Sequence, residues 1–430
     1  MPIIATDVKK KTIGIVTIII IFTILGSLLV FRQPQNSNFT AYERQLYKIF
    51  EDAKIQFERI RDVILPQNIT ISVYTKQQAI DRWGKEQSNL SNDTYLLRQE
   101  NIYKSLFLLG ENESLSDTAV DWIADWTAVS VGNDIYVIYE NFWPWDMPNA
   151  EATLIHELTH VWQNTLPTPT SYDADKAQNA LIEGDASYMA DYYKAQYNHN
   201  NNGSSNNSNS ENNIYYPPFI TNLSALLYTS QLGSCYPNVP DAVTSLNWFP
   251  YIQGKIFVSA IIDNYGGSWD GLNQCYMPSY MPSSTAQILH PHKYFIGETP
   301  KNPLASQLND DSWTIIPCRY GCASDTYGEY FIYVMLNHWL NDVNQAQKIA
   351  AGWNGDTLTY YEKGNEFLFT WSINWDSTQT ASAFSQAFNN MINLTQATPQ
   401  SQCNTSNRHI TLIWDSNTTT TLITCCSTTK

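Results

Sequence analysis

The sequence predicts an α+β fold with a single N-terminal transmembrane helix. It further predicts a small mixed sheet and long helices first, then a mostly helical second half with a small β-containing C-terminal subdomain. Apolar residues recur at helical spacing over residues 41–62, which indicates an amphipathic helix. Residues 69–74, ITISVY, are typical of a strand. Residues 12–31 carry no charge, and a helix of that length crosses a hydrocarbon core of about 30 Å.

The flanks of the apolar run predict its orientation. Lysines occupy positions 9–11 and only Arg32 follows closely, so the positive-inside rule places the N-terminus in the cytoplasm. A cleaved signal peptide is the alternative, but the run is longer than a usual signal core and no small-x-small cleavage site follows. We therefore expect a cytoplasmic tail (1–11), a single-pass membrane anchor (12–31), a polar linker (32–40) and an extracellular location for the rest of the chain.

The composition fits an exported chain that does not bind nucleic acid. The 430 residues include 40 acidic and 24 basic side chains, whereas nucleic-acid binding calls for a basic surface. Asn-x-Ser/Thr sequons are dense, which favours a glycoprotein. All seven cysteines follow residue 234, and disulfides are the default expectation for an exported chain. Cys318 and Cys322, which are four positions apart, could instead supply half of the ligands of a metal site, and this alternative stays open.

The remaining elements follow from local patterns. Two β-branched runs flank Gly132 and predict a hairpin over residues 127–139. The Asn/Ser-rich tract 198–213 cannot build a core and is expected to be a disordered loop. Helical periodicity predicts helices over 76–83, with Thr75 as N-cap, and over 95–109, 149–164, 176–197, 250–266, 327–350 and 380–393. A strand over 367–373 and a closing hairpin over 409–425 complete the chain.

The segment TLIHELTHVWQN, residues 153–164, contains candidate metal-binding residues. Residues four apart share one helix face, so His156 and His160 can present two imidazoles to one ion. Glu157 is displaced by about 100° around the helix, a position that suits a general base acting on water at the metal. The other positions are apolar, which predicts a buried helix. The alternative is a helix whose histidines make ordinary hydrogen bonds.

A third ligand is predicted on the next helix. Catalytic zinc usually has three protein ligands, and Glu183 lies in the apolar segment ALIEGDASYMAD, residues 180–191. Gly184 beside it would let another helix approach closely. A solvent-facing Glu183 is the alternative, which its apolar neighbours disfavour. Asp185 and Asp191 are candidates to orient a ligand histidine.

Together these residues resemble the gluzincin class of zinc metallopeptidases, in which a downstream helix supplies a glutamate ligand. The chain further resembles a poorly characterised family of archaeal and bacterial cell-surface proteins. The similar blocks are HELTH (156–160), IEGDA (182–186), FPYIQGKIFV (249–258), STAQILHPHKY (284–294), YFIGETP (294–300), YGEYF (327–331) and AAGWNGD (350–356). The resemblance implies a membrane-tethered, outward-facing protease with a zincin-like domain over 41–295 and a C-terminal α/β subdomain over 296–430. In that fold the hairpin over 127–139 would contain the strand that pairs with extended substrate.

The resemblance implies Zn²⁺ held by His156, His160 and Glu183, with Glu157 as general base and a peptide or protein as substrate. Tyr251 and His290, both in the similar blocks, are the first candidates for an oxyanion donor, ahead of Tyr192 and Tyr193; for His290 an exposed loop position is the alternative. Thermolysin-like gluzincins have an acid where this chain has Ser187, which leaves the orienting acid open. The competing hypotheses are an adhesion or envelope protein on the same scaffold and a zinc hydrolase acting on another substrate. The oligomeric state stays open.

Overall fold

The computed structural model describes residues 37–84, 94–110, 112–163, 166–202, 240–306, 308, 310–397 and 409–427. This part of the chain is α+β. Its helices are α1 (Ser37–Arg61), α2 (Lys76–Ala79, continued by a π-helical turn over Ile80–Gly84), α3 (Thr94–Ser105), α4 (Leu115–Ala124), α5 (Asn149–Gln163), α6 (Tyr172–Asn202), α7 (Asp241–Asn264), α8 (Asp270–Gln274), α9 (Thr285–Leu289), α10 (Pro291–Phe295), α11 (Gly328–Leu340), α12 (Val343–Ala350) and α13 (Thr378–Ala397). Its strands are β1 (Thr70–Tyr74), β2 (Ala128–Val131), β3 (Asp134–Ile138), β4 (Thr314–Ile316), β5 (Trp353–Lys363), β6 (Glu366–Trp375), β7 (His409–Trp414) and β8 (Thr419–Ser427).

The predicted membrane anchor is corrected by the structure. Residues 12–31, on which that prediction rests, lie outside the described residues, as do the predicted tail and most of the linker. A membrane span needs about 20 predominantly apolar residues. Among the helices of the described ranges, none is both long and apolar enough to meet that requirement. The transmembrane component of the predicted fold class is therefore not supported, and the same finding overturns the predicted single-pass membrane location with an extracellular catalytic domain.

The hairpin predicted over residues 127–139 is present as β2–β3, and with β1 it forms a small mixed sheet. Its strand order is β1-β3-β2, with β1 parallel to β3 and β2 antiparallel to β3. Gly132 has φ 61° at the tip of the β2–β3 hairpin, a conformation that glycine adopts without strain. Thr75 caps α2 through a reciprocal capping box with Gln78, as predicted. The strand β2 forms one edge of this sheet, and its neighbour in space is α5.

The C-terminal part is built on a second sheet with strand order β4-β5-β6-β8-β7, antiparallel throughout. The predicted strand over 367–373 and the closing hairpin are present as β6 and as β7–β8. The predicted helix over 327–350 is interrupted, because Asn341 takes a left-handed conformation (φ 49°, ψ 37°) that ends α11, and Asp342 caps α12. The helices α4, α8, α9 and α10 and the strands β4 and β5 were not predicted.

One hydrophobic cluster joins both halves of the chain. It includes buried side chains from α3, α6, α7, α11 and β6, represented by Tyr103, Leu181, Phe257, Phe331 and Trp371. Asp356 is fully buried within it and accepts hydrogen bonds from the backbone N–H groups of Tyr327 and Gly328 at the start of α11. The division between 41–295 and 296–430 stays a prediction.

Two glycines set the distance between α6 and α7. A Cβ atom on Gly184 would overlap the backbone of Gly254, and a Cβ on Gly254 would overlap the carbonyl oxygen of Ala180. The backbones of the two helices are therefore in direct contact at this point. The close approach predicted for Gly184 is confirmed, and Gly254 is its counterpart on the facing helix. This crossing brings α7 against the part of α6 that carries Glu183.

Replacing Gly254 by alanine should destabilise the fold. The new methyl group must displace backbone atoms of α6, and overpacking of this kind costs about 1–3 kcal/mol. Urea unfolding monitored by circular dichroism should show that loss for Gly254→Ala. Ser259→Ala, half-buried on the same helix, should stay within about 0.5 kcal/mol of wild type. Equal unfolding midpoints for Gly254→Ala and wild type would contradict the close backbone contact.

Candidate metal centre

The helix α5 presents two imidazoles to one point. His156 and His160 lie one turn apart on its face toward α6, and their Nε2 atoms are 3.1 Å from each other. The helix is buried on most of its other faces, where Leu154, Ile155 and Leu158 are fully enclosed. Such packing fixes the helix and leaves the histidine side chains little freedom. The buried helix predicted from the apolar flanks is therefore confirmed.

Glu183 reaches the same point from α6. Its side chain is 2% exposed, and its Oε2 atom lies 3.4 Å from His156 Nε2 and 3.3 Å from His160 Nε2. This oxygen is buried and accepts no hydrogen bond from the described residues. A buried oxygen left in that state costs free energy unless another group binds it.

The three atoms are spaced as ligands of one metal ion. Ligands at about 2.0–2.1 Å from a tetrahedral ion stand about 3.3 Å apart. The observed separations of 3.1, 3.4 and 3.3 Å match that spacing. His156, His160 and Glu183 therefore form a group that could hold a metal ion.

Electrostatics keep the glutamate ionised. Burial opposes charge on Glu183, but the two imidazoles outweigh it and hold the pKa of Glu183 well below its usual range. Burial also opposes charge on His160, but the Glu183 carboxylate raises the pKa of His160 above its usual range. The centre thus attracts positive charge, and a bound cation would take the place of the His160 proton.

Gln163 orients the His160 ring. Its Nε2 donates to the carbonyl oxygen of Ile182 and to the hydroxyl of Tyr276, both at 2.9 Å. The amide oxygen Oε1 therefore faces His160 Nδ1, at 2.8 Å. An amide oxygen can only accept, so the neutral imidazole carries its proton on Nδ1 and keeps a lone pair on Nε2. That lone pair points to the metal position.

A buried ion pair between Arg61 and Asp185 holds Tyr276, which in turn accepts a hydrogen bond from Gln163. Tyr276 donates to Asp185 Oδ2 at 2.7 Å, and Arg61 binds both oxygens of Asp185 at 2.6 and 2.9 Å. The Arg61 guanidinium lies between the rings of Trp162 and Trp269, 4.6 and 4.5 Å from their centroids. The chain of contacts runs from α1 through α6 to the ligand helix α5.

The orienting role predicted for Asp185 or Asp191 is therefore filled differently. Asp185 is connected to His160 only through three successive hydrogen bonds, by way of Tyr276 and Gln163. Asp191 forms ion pairs with Lys255 at 2.6 Å and Lys194 at 3.1 Å. An amide is neutral, so it fixes the ring without adding a negative charge beside Glu183.

The metal centre forms part of the wall of a cavity of about 460 Å³, which Glu157 and Tyr251 also line. Glu157 is 6% exposed. The Tyr251 ring stacks on His156 at 6.4 Å between centroids. Burial, with the nearby Glu183 and Glu157 carboxylates, raises the pKa of Tyr251 well above its usual range. Tyr251 therefore stays a hydrogen-bond donor at neutral pH.

The edge strand β2 borders the same cavity through Ala128 and Val129. The β2–β3 register pairs Val129 with Tyr136, and Ile138 N donates to Thr127 O. Alternation along an antiparallel ladder then turns the backbone groups of Ala128 and Ser130 away from β3. No other strand of the described chain pairs with this edge.

His290 is not brought to this centre. Its Nε2 lies 2.6 Å from Glu329 Oε1, and it does not line the cavity. Tyr193, a lower-ranked candidate, donates to Glu151.

Cys275, Cys318 and Cys322 are free thiols, so the expected disulfides have no support among the cysteines whose side chains are described. Cys318 and Cys322 do not belong to the metal-ligating group.

The sequence did not indicate the residues that hold the candidate ligands in place. It also did not indicate the cavity residues that lie outside the segment 153–164. Gln163 had one available signal, its position one turn after His160 on the same helix. Arg61 and Tyr276 come from distant segments, so no local spacing could have indicated them. Lys176 lay at the edge of the predicted helix over 176–197, where a lysine normally indicates a solvated face.

The C-terminal part of the chain matches a family model described as a domain of unknown function (DUF8575), over residues 318–424, downstream of the metal centre. Curated proteins include no match to the chain. A solved structure from Chloroflexus aurantiacus, described as "a putative hydrolase with a novel fold", is 17% identical with a TM-score of 0.39, covering 61% of this chain and 92% of that one. The gluzincin resemblance stays a prediction.

Removing the Gln163 amide should weaken metal binding without removing a ligand. Gln163→Leu keeps the side-chain volume but frees the His160 ring, and loss of such an outer partner typically lowers metal affinity about 10–100-fold. Chelator competition with Zn²⁺ would measure this change. The control Gln345→Leu, exposed on α12, should bind zinc as wild type does. Unchanged affinity in Gln163→Leu would contradict the orienting role.

Proposed function

We propose that this protein is a zinc-dependent peptidase that hydrolyses peptide bonds. The observation that carries the proposal is the convergence of His156 Nε2, His160 Nε2 and Glu183 Oε2 within 3.1–3.4 Å of one another, beside a cavity that Glu157 lines. Two imidazoles and one carboxylate are a donor set that suits catalytic zinc. Three protein ligands leave one coordination position for water or substrate, whereas structural zinc sites are closed by four.

The residues around the centre suit peptide hydrolysis. Zn²⁺, when bound, supplies Lewis acidity that polarises a carbonyl group and lowers the pKa of water. Glu157 accepts the proton of the attacking water and returns it to the leaving amine. Tyr251 donates a hydrogen bond to the carbonyl oxygen as negative charge develops there. Its raised pKa keeps the hydroxyl proton available for this contact.

The strand β2 supports a peptide as the substrate. An extended chain laid along the outer edge of β2 can pair with the backbone groups of Ala128 and Ser130. The edge adjoins the cavity that contains the metal centre, so a paired peptide would pass beside Glu157. Backbone pairing of this type holds a peptide by its main chain, and the cavity then selects among side chains.

Glu157→Gln is the variant that separates catalysis from metal binding. The amide cannot accept the water proton, so kcat/KM should fall by about 10²–10⁴-fold. The zinc content of the purified protein should stay at one ion per chain, because all three ligands remain. Mass spectrometry of a peptide library gives the cleavage rates, and atomic absorption gives the zinc content. Glu366→Gln, on the second sheet, serves as a charge-matched control with wild-type cleavage.

Equal cleavage by Glu157→Gln and wild type would contradict the proposed mechanism. A protein that holds one zinc ion but cleaves no peptide would contradict the peptidase proposal. That result would favour an adhesion or envelope role, or hydrolysis of a different class of substrate. Loss of zinc in Glu157→Gln would instead indicate that this residue belongs to the ligand set.

A further inference from the structure

Lys176 is a buried cation in the wall of the metal-site cavity. It lies on α6, is 6% exposed, and lines the same cavity as His156, Glu157 and Glu183. Burying an ammonium group is costly unless an acceptor or a negative charge compensates it. Lysine is rarely buried without a pairing partner, so its position asks for an explanation.

The polar contacts of Lys176 leave much of its bonding capacity open. Its Nζ donates to the carbonyl oxygen of Leu246 at 3.4 Å and lies 5.5 Å from the centre of the Tyr172 ring. Among the ion pairs of the described residues, none includes Lys176. An ammonium group has three donors, and one long hydrogen bond to a carbonyl uses only one of them.

The charge of Lys176 persists at neutral pH. Burial lowers the pKa of Lys176 to about 8, with Asp175 acting in the opposite direction. The group is therefore mainly protonated at pH 7, and the cavity contains a fixed positive charge apart from the metal position. An anionic group of a ligand would complete its coordination.

Helix geometry sets the separation along α6 between Lys176 and the candidate ligand Glu183. Lys176 and Glu183 are seven residues apart on α6, which is close to two turns, so both project from one face. Their Cα atoms are about 10 Å apart along the axis at 1.5 Å per residue. About three residues of extended peptide span that distance at about 3.3–3.6 Å each.

We propose that Lys176 binds the terminal carboxylate of a peptide whose scissile bond lies at the metal centre, so that the enzyme removes residues from the C-terminus. The inference rests on the proposed peptidase function and specifies its substrate class. Water adds across the amide bond: the hydroxyl group goes to the carbonyl carbon, the C–N bond breaks, and the proton goes to the departing amine. The released fragment carries the carboxylate held by Lys176.

The cavity between the two charged points favours an apolar or aromatic terminal residue. Trp122, Trp248 and Tyr251 form a continuous set of edge-to-face contacts along one wall, with centroid distances of 5.5 Å for each successive pair. Leu115 and Val243 add aliphatic surface. A phenylalanine side chain would bury its ring against this wall while its carboxylate meets Lys176.

Peptide binding to a non-cleaving protein tests the inference directly. The full-length Glu157→Gln chain, loaded with zinc, is titrated with N-acetyl-Gly-Gly-Phe and with the same peptide amidated at its C-terminus. Calorimetry should show that the free acid binds about 10–100-fold more tightly, the range expected for a hydrogen bond to a charged group. In Lys176→Met on the same background, the acid should bind only as well as the amide.

Two controls distinguish the carboxylate contact from loss of structure or of general positive charge. Lys176→Arg keeps a cation and should retain most of the preference for the free acid. Lys104→Met removes a lysine that pairs with Glu100 outside the cavity and should leave the preference unchanged. Unchanged affinity for the amide in Lys176→Met confirms that the cavity is intact.

The inference is overturned if the acid and the amide bind equally, if neither binds, or if the preference survives Lys176→Met. These outcomes are independent of the test of peptide cleavage, because they are measured on a protein that does not turn over. A preference that depends on Lys176, in a wild-type protein that cleaves nothing, would support carboxylate recognition while contradicting the peptidase proposal.

Discussion

The buried ion pair between Arg61 and Asp185 is the interaction on which the metal centre depends. Both side chains are fully excluded from solvent, so each charge has given up its hydration. The pair is compensated by two short hydrogen bonds, by Trp162 and Trp269 on the faces of the guanidinium, and by Tyr276. Loss of one partner from such a pair typically costs about 3–5 kcal/mol, because an uncompensated charge remains buried.

This ion pair also joins elements that are distant in sequence. Arg61 ends α1, Asp185 lies two residues after the ligand Glu183 on α6, and Tyr276 follows α8. Through Gln163 the same network reaches the imidazole of His160. The orientation of one ligand is therefore coupled to the packing of three helices. The direct contact of α6 and α7 also fixes the position of α7, which places Tyr251 beside His156.

Local sequence patterns indicated the group of His156, His160 and Glu183, which the structure brings together, because each part of it is encoded in a short helical segment. The spacing of His156 and His160 follows from helix periodicity, and the apolar surroundings of Glu183 indicated burial without any knowledge of the fold. The hairpin over 127–139 was readable from its glycine turn. Each of these features requires only residues within one or two turns or one hairpin.

The features that the sequence did not predict correctly depend on single backbone conformations or on contacts between residues distant in sequence. The interruption of the predicted helix over 327–350 depends on one residue, Asn341, whose left-handed conformation no periodicity reveals. His290 looked like a site residue by its position in a similar block, but it pairs with Glu329 on another helix. The membrane anchor was inferred from the length of the apolar run over residues 12–31 and from its flanks, and the described helices gave it no support. The burial of Lys176 was not predicted, because lysine side chains are usually exposed.

X-ray absorption at the zinc edge of the zinc-loaded protein tests the central claim most directly. The account predicts two imidazole nitrogens and light oxygen donors at about 2.0–2.2 Å, with no sulfur in the first shell. The imidazole contribution should fall by half in His156→Ala. Zinc coordinated by sulfur at about 2.3 Å, or a spectrum unchanged by His156→Ala, would show that the ion binds elsewhere and would contradict the account.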